Sequence, residues 1–144
     1  MTKRAMTKRA MTKRATLKPK PAAQRTESGR AAFKRGHGIE RRAAWWLRLK
    51  LYRVIAINWR SRAGEVDLIA KRGDTLAFIE VKQRNDTDAA TLSLRPQQQQ
   101  RLARAAALFC AQRPEYAACT IRFDLIAFGR FGSPIHMKDA WRPG

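Results

Sequence analysis

The stretch GEVDLIAKRGDTLAFIEVK, from Gly64 to Lys82, carries two apolar runs, Val66–Ala70 and Leu76–Val81, around the polar segment Lys71–Thr75. Branched and aromatic residues on either side of a Gly-centred turn are the signature of a β-hairpin. Three charges stand out in it. Asp67 interrupts the first strand, Glu80 the second, and Lys82 follows two residues later. Charge is depleted in strand interiors unless it faces water or serves chemistry.

Side chains alternate faces along a strand, so Glu80 and Lys82 point the same way. With Gly73-Asp74 as a two-residue loop, Arg72 pairs with Thr75 and Asp67 falls opposite Glu80. With Arg72-Gly73 as the loop, Asp67 falls opposite Phe78 and diagonal to Glu80. In both registers the two acids and the lysine share a face, and only a slip by one residue separates them. Val66, Leu68, Ile79 and Val81 then form the opposite, apolar face. Carboxylates on neighbouring strands repel unless a cation lies between them. Oxygen ligands at this spacing suit Mg²⁺ or Mn²⁺, with Lys82 near enough to meet a phosphate or a water.

Around this hairpin, a chain of 144 residues forms one domain rather than two. Its net charge of +20 lies in the range of nucleic-acid binders. Residues 1–35 hold 12 Lys or Arg and one acid, leaving +9 for the remainder, so the body is basic in its own right. Residues 1–30 open with MTKRA three times over, continue through Lys-Pro-Lys-Pro and contain few apolar residues. They are expected to be a disordered basic tail before a domain over 31–144. Met1, Met6 and Met11 could each serve as the start. Cys110 and Cys119 have no metal-type spacing and read as buried, reduced thiols. No apolar run approaches the ~20 residues of a membrane span. The N-terminus has no apolar signal core. The expectation is a cytoplasmic protein with no membrane partner.

Periodicity predicts a helix from Ala31 to about Leu51, in which Trp45 and Trp46 could each stack on a base while at least one joins the core. Arg53–Arg60 reads as a strand leading to the hairpin. Asn85–Ser93 is a polar loop. Pro96 opens a helix to about Gln112, buried through Leu102, Ala105, Ala106 and Phe109. Thr120–Phe128 is the last firm strand, and His136–Trp141 a short edge strand. The order α-β-β-β-α-β predicts an α/β fold with a mixed β-sheet flanked by helices.

Gly36, Glu40 and Ala43, then Asn58-Trp59-Arg60, Gly64–Ala70 and Phe78–Lys82 form a pattern that resembles the YraN family. These small bacterial proteins are grouped with the restriction-endonuclease-like, PD-(D/E)xK superfamily. The likeness continues through Arg122-Phe123-Asp124 and Asp139-Ala140-Trp141. It implies an αβββαβ core with Asp67 and Glu80 as metal-binding acids and Lys82 as the residue that orients or activates water. Glu40 matches an additional acid beside the metal, and Glu65 a further hairpin acid that could support the site from behind, as could Gln98 or Gln99. The Gly-Tyr that usually precedes the family's first strand is Leu51-Tyr52 here.

The reading is a Mg²⁺- or Mn²⁺-dependent endonuclease hydrolysing phosphodiester bonds, with DNA expected ahead of RNA. Arg60, Arg62 and Arg84 would track the phosphate backbone. The alternative is a non-catalytic nucleic-acid-binding module on the same fold. Cutting both strands of a duplex calls for two sites, which a homodimer would supply, although no heptad or apolar patch marks an interface.

Overall fold

In the computed structural model, which describes residues 38–83, 94–129 and 134–144, helix α1 runs over 38–49. The predicted tail, the helix start at Ala31–His37, Arg84 and the loop Asn85–Ser93 lie outside the described residues. Ile39, Ala43, Ala44 and Leu47 recur at helical spacing and are buried. The helix ends in a Schellman motif: the Tyr52 N–H donates to Leu47 O and the Leu51 N–H to Arg48 O, both at 3.0 Å. The motif demands a left-handed residue at Leu51, whose φ is 64°. That is the position where the family pattern carries glycine, the residue for which a positive φ is free of steric cost.

Five strands follow: β1 (Arg53–Ser61), β2 (Gly64–Arg72), β3 (Thr75–Gln83), β4 (Thr120–Phe128) and β5 (Ile135–Trp141). They lie side by side in chain order. All neighbours are antiparallel except β3 and β4, which are parallel. A parallel pair needs a crossover, and helix α2 (Pro96–Gln112) supplies it. The β2–β3 loop is Gly73-Asp74, with Arg72 opposite Thr75, which selects the first of the two registers. Of the two loop residues only Gly73 has positive φ, the pattern of a turn with glycine at its first central position. Asp74 O accepts from the Thr120 N–H at 2.7 Å, which ties the turn to the start of β4.

Each face of the sheet carries one helix and one core. Against α1 lie Leu68, Ala70, Ala77, Ile79, Val81 and Ile126. Against α2 lie Ile69, Leu76, Phe78 and Phe123, with Phe109 packed edge-on to Phe78 and Trp59. Val66 departs from expectation, because it joins the α2 core rather than the face of Leu68. Along β1 the same switch falls between Ile57 and Trp59, the residues paired with Leu68 and Val66. Between them Asn58 has φ 53°, a conformation asparagine tolerates better than most residues. This local twist breaks the alternation that simple parity assumes. The break falls beside Asp67.

Candidate active site

Asp67 and Glu80 sit where β2 and β3 part. Regular pairing of the two strands extends from the turn to Leu68–Ile79, and the next position in register is Asp67 opposite Glu80. Beyond that point β3 continues to pair with β4 as far as Gln83. The Val81 N–H, freed from β2, donates to Asp67 Oδ2 at 2.8 Å. The carboxylate thus stands in for a strand carbonyl, which satisfies a backbone donor and fixes the acid's orientation.

The two acids line one pocket of about 440 Å³ together with Arg62 and Glu65 from the β1–β2 turn region and Gln98 and Arg101 from α2. Both are partly buried. Burial pushes Asp67 up to about 6, with the charges of Glu40 and Glu65 adding to it and the Val81 N–H opposing it. Burial likewise pushes Glu80 up to about 8, reinforced by the Asp67 charge and by a hydrogen bond to Asp67, and opposed by the Lys82 ammonium. A hydrogen bond between two carboxyls requires a shared proton. A proton or a cation held between the two carboxyls would offset their repulsion.

The other predicted residues are distributed around this pair. Glu40, on α1, acts on both acids through its charge, and Lys82 acts on Glu80. Among the described residues no three His, Cys, Asp or Glu side chains form a group that could hold a metal. Asp67 and Glu80 contribute two carboxylates to one pocket. That fits Mg²⁺, which keeps several waters and is bound through one or two carboxylates plus substrate phosphate. Arg62 lines the pocket, whereas Arg60 makes a 3.2 Å ion pair with Glu65 on the surface. Gln98 lines the pocket too, but its Oε1 also accepts from the Arg95 N–H at 3.3 Å, capping α2. Gln99 turns away, donating to Leu94 O at 3.0 Å.

Sequence reasoning passed over Arg101. It follows Gln98 by three residues, one turn along α2, so the spacing that selects Gln98 also selects Arg101. A Cβ built on Gly64 would lie 3.5 Å from Arg101 O, which marks how closely the hairpin and α2 approach here. A larger cavity of about 630 Å³, between α2, β4 and the C-terminal residues, holds none of the predicted site acids.

The remaining acids of the pattern are structural. Asp124 is 1% exposed and accepts from Arg122 Nε, from Arg122 Nη2 and from His136, each at 2.8 Å, and from the Asp139 N–H at 3.0 Å. Burial alone would raise its pKa, but these donors outweigh it and hold the carboxyl below its ordinary value. Arg122 also donates to the Tyr52 hydroxyl at 3.0 Å, so the network joins β4, β5 and the end of α1.

A mixed sheet with a helix on each face, and two acids facing each other where its hairpin opens, defines an α/β protein with a restriction-endonuclease-like core. The chain belongs to the family described as Uncharacterised protein family UPF0102, the YraN family, whose model matches residues 39–128. It is 48% identical over 125 residues to a UPF0102 protein of Paramagnetospirillum magneticum, covering 84% of this chain and 97% of that one. It is 45% identical over 116 residues to a UPF0102 protein of Parvibaculum lavamentivorans, covering 81% and 87%. A Brucella canis relative is 44% identical over 101 residues, covering 70% and 80%.

Proposed function

We propose that the protein is a Mg²⁺- or Mn²⁺-dependent nuclease that hydrolyses phosphodiester bonds in the Asp67–Glu80 pocket. The observation that carries this reading is the pair of partly buried carboxyls, Asp67 and Glu80, in one pocket with Glu65, Arg62, Gln98 and Arg101. Repelling acids beside arginine side chains suit a cation and a phosphate together. Asp67 and Glu80 would hold the cation, with Glu40 adding negative charge from α1. A cation held there would supply positive charge at the scissile phosphate and acidify water. Lys82 stabilises the negative charge that develops on the phosphate, while Arg62 and Arg101 orient the strand by its neighbouring phosphates. Val81 contributes through its N–H, which keeps Asp67 aimed into the pocket.

The test is a cleavage panel of duplex, single-stranded, tailed and junction DNA, and the matching RNAs, with Mg²⁺ or Mn²⁺. Wild-type protein is expected to cut at least one substrate. Asp67→Asn and Lys82→Ala are each expected to lower the rate by about 10²-fold or more while binding persists. A wild type that binds but cuts nothing supports the non-catalytic module instead. Cleavage untouched by either substitution removes the assignment of the site.

A further inference from the structure

On α1 the two neighbouring tryptophans do different things. Trp46 packs into the α1 core, meets His136 edge-on at 5.8 Å between ring centroids, and carries the Lys50 ammonium over its ring at 4.7 Å. Trp45 is 62% exposed. Single exposed apolar residues are ordinary on protein surfaces, so exposure alone says little. The surroundings of Trp45 say more. A cleft of about 360 Å³ is lined by Arg41, Arg42, Trp45, Trp46, Phe128 and Pro134. Three of its six lining residues are aromatic, and two are arginines. Arg42 already lies over the Phe128 ring at 4.9 Å.

The cleft is also held firmly. His136, under Trp46, is fixed by its 2.8 Å contact to the buried Asp124. Flat apolar walls suit a planar ring, and guanidinium groups at the rim suit phosphate. Helix α1 carries three cations beyond Glu40, namely Arg41, Arg42 and Arg48, and Lys50 follows its last residue. Its charge therefore complements a polyanion and disfavours a second copy of the same basic face. Glu40, whose charge acts on Asp67 and Glu80, lies about 7.5 Å from Trp45 along the axis of the same helix.

We infer that this cleft seats an unpaired base against Trp45, with Arg41 and Arg42 on the adjoining phosphates, so that the preferred ligand is a nucleic acid with a single-stranded segment. The inference deepens the nuclease reading by giving its substrate a class. A base inside a uniform duplex is stacked and cannot enter, whereas a base in a tail or gap stacks on an aromatic ring irrespective of sequence.

The test is binding of fluorescein-labelled oligonucleotides to the full-length Asp67→Asn protein without divalent ions, by anisotropy. The probes are a single strand, a blunt duplex and a duplex with an unpaired tail. Adding Trp45→Ala is expected to weaken the single strand and the tailed duplex about tenfold and leave the blunt duplex within about twofold. Trp45→Phe is expected to restore most of the loss. Equal weakening on all three probes, or no weakening on any, overturns the inference. So does unchanged binding with a dimer-to-monomer shift in sedimentation, which would assign the face to a second copy. Because the readout is metal-free binding, a protein that grips tails through Trp45 and cuts nothing keeps the inference and loses the nuclease reading.

Discussion

At the scale of single residues, the molecule buries acids in two opposite ways. Asp124 is surrounded by donors and stays charged, with its pKa held down once those donors outweigh burial. Asp124→Ala strands Arg122 and His136 inside the sheet, and a loss of about 3–5 kcal/mol is expected in urea melts, the range for an orphaned buried charge. Asp67 and Glu80 have each other instead, and both are raised, chiefly by burial. Their unfolded values lie near 4, so between about pH 4 and about pH 8 the folded protein binds more protons than the unfolded chain. Stability is therefore expected to be greatest at the acid end of that window and to fall as pH rises through it. Glu80→Gln keeps a donor for Asp67 and removes the repulsion, so a gain of about 2 kcal/mol at pH 8 and little change at pH 4 is expected. Melts at both pH values check this, and an equal effect at both would mean that the pair does not share a proton. Saturating Mg²⁺ should raise the melting temperature of the wild type at pH 8 and do so much less for Glu80→Gln, if the pair holds the ion.

At the scale of elements, the hairpin was the most legible part of the chain. Alternation and a Gly-centred turn put Asp67 and Glu80 on one face, and the two-residue loop Gly73-Asp74 sets the register in which they follow the Leu68–Ile79 pair. The bounds of α2 and β4 followed from Pro96 and from the run Thr120–Phe128. What alternation could not supply was the switch of Val66 to the α2 core, because it depends on a left-handed residue, Asn58, in the partner strand. Arg101 was missed for a similar reason: its place in the pocket follows from the approach of α2 to Gly64, which no local pattern encodes. The end of α1 was half legible. Leu51-Tyr52 marked a departure from the family's Gly-Tyr, and the Schellman geometry supplies its meaning. Leu51 is 79% exposed, so replacing it removes little packing. Leu51→Gly relieves a left-handed strain of about 1–2 kcal/mol and adds chain entropy to the unfolded state. The expected net gain is about 1 kcal/mol, seen as a melting temperature several degrees higher. A lower melting temperature would mean that Leu51 makes contacts worth more than its strain.

At the scale of the whole molecule, the spread of charge gives affinity and selectivity different origins under the proposed nucleic-acid reading. Residues 1–35 supply +11 of the +20 and almost no acid, whereas the remainder interleaves its cations with the pocket and the α1 cleft. Flexible or not, a segment of that composition attracts phosphates without regard to sequence or pairing, and each phosphate contact steepens the salt dependence of binding by about 0.9 for duplex and about 0.7 for single strands. In the proposed reading, base stacking at Trp45 and chemistry at Asp67 and Glu80 would release no counterions, so they would add selectivity without adding slope. Deleting residues 1–35 is therefore expected to weaken binding to blunt, tailed and single-stranded probes together and to flatten log Kd against log salt by about one or more. The ratio of tailed to blunt affinity, and its dependence on Trp45, should survive the deletion. Titrations at about 50 and about 200 mM salt measure both quantities. If the deletion instead abolishes the preference for unpaired strands while the slope stays put, selectivity resides in the N-terminal segment and the cleft on α1 is only a surface feature.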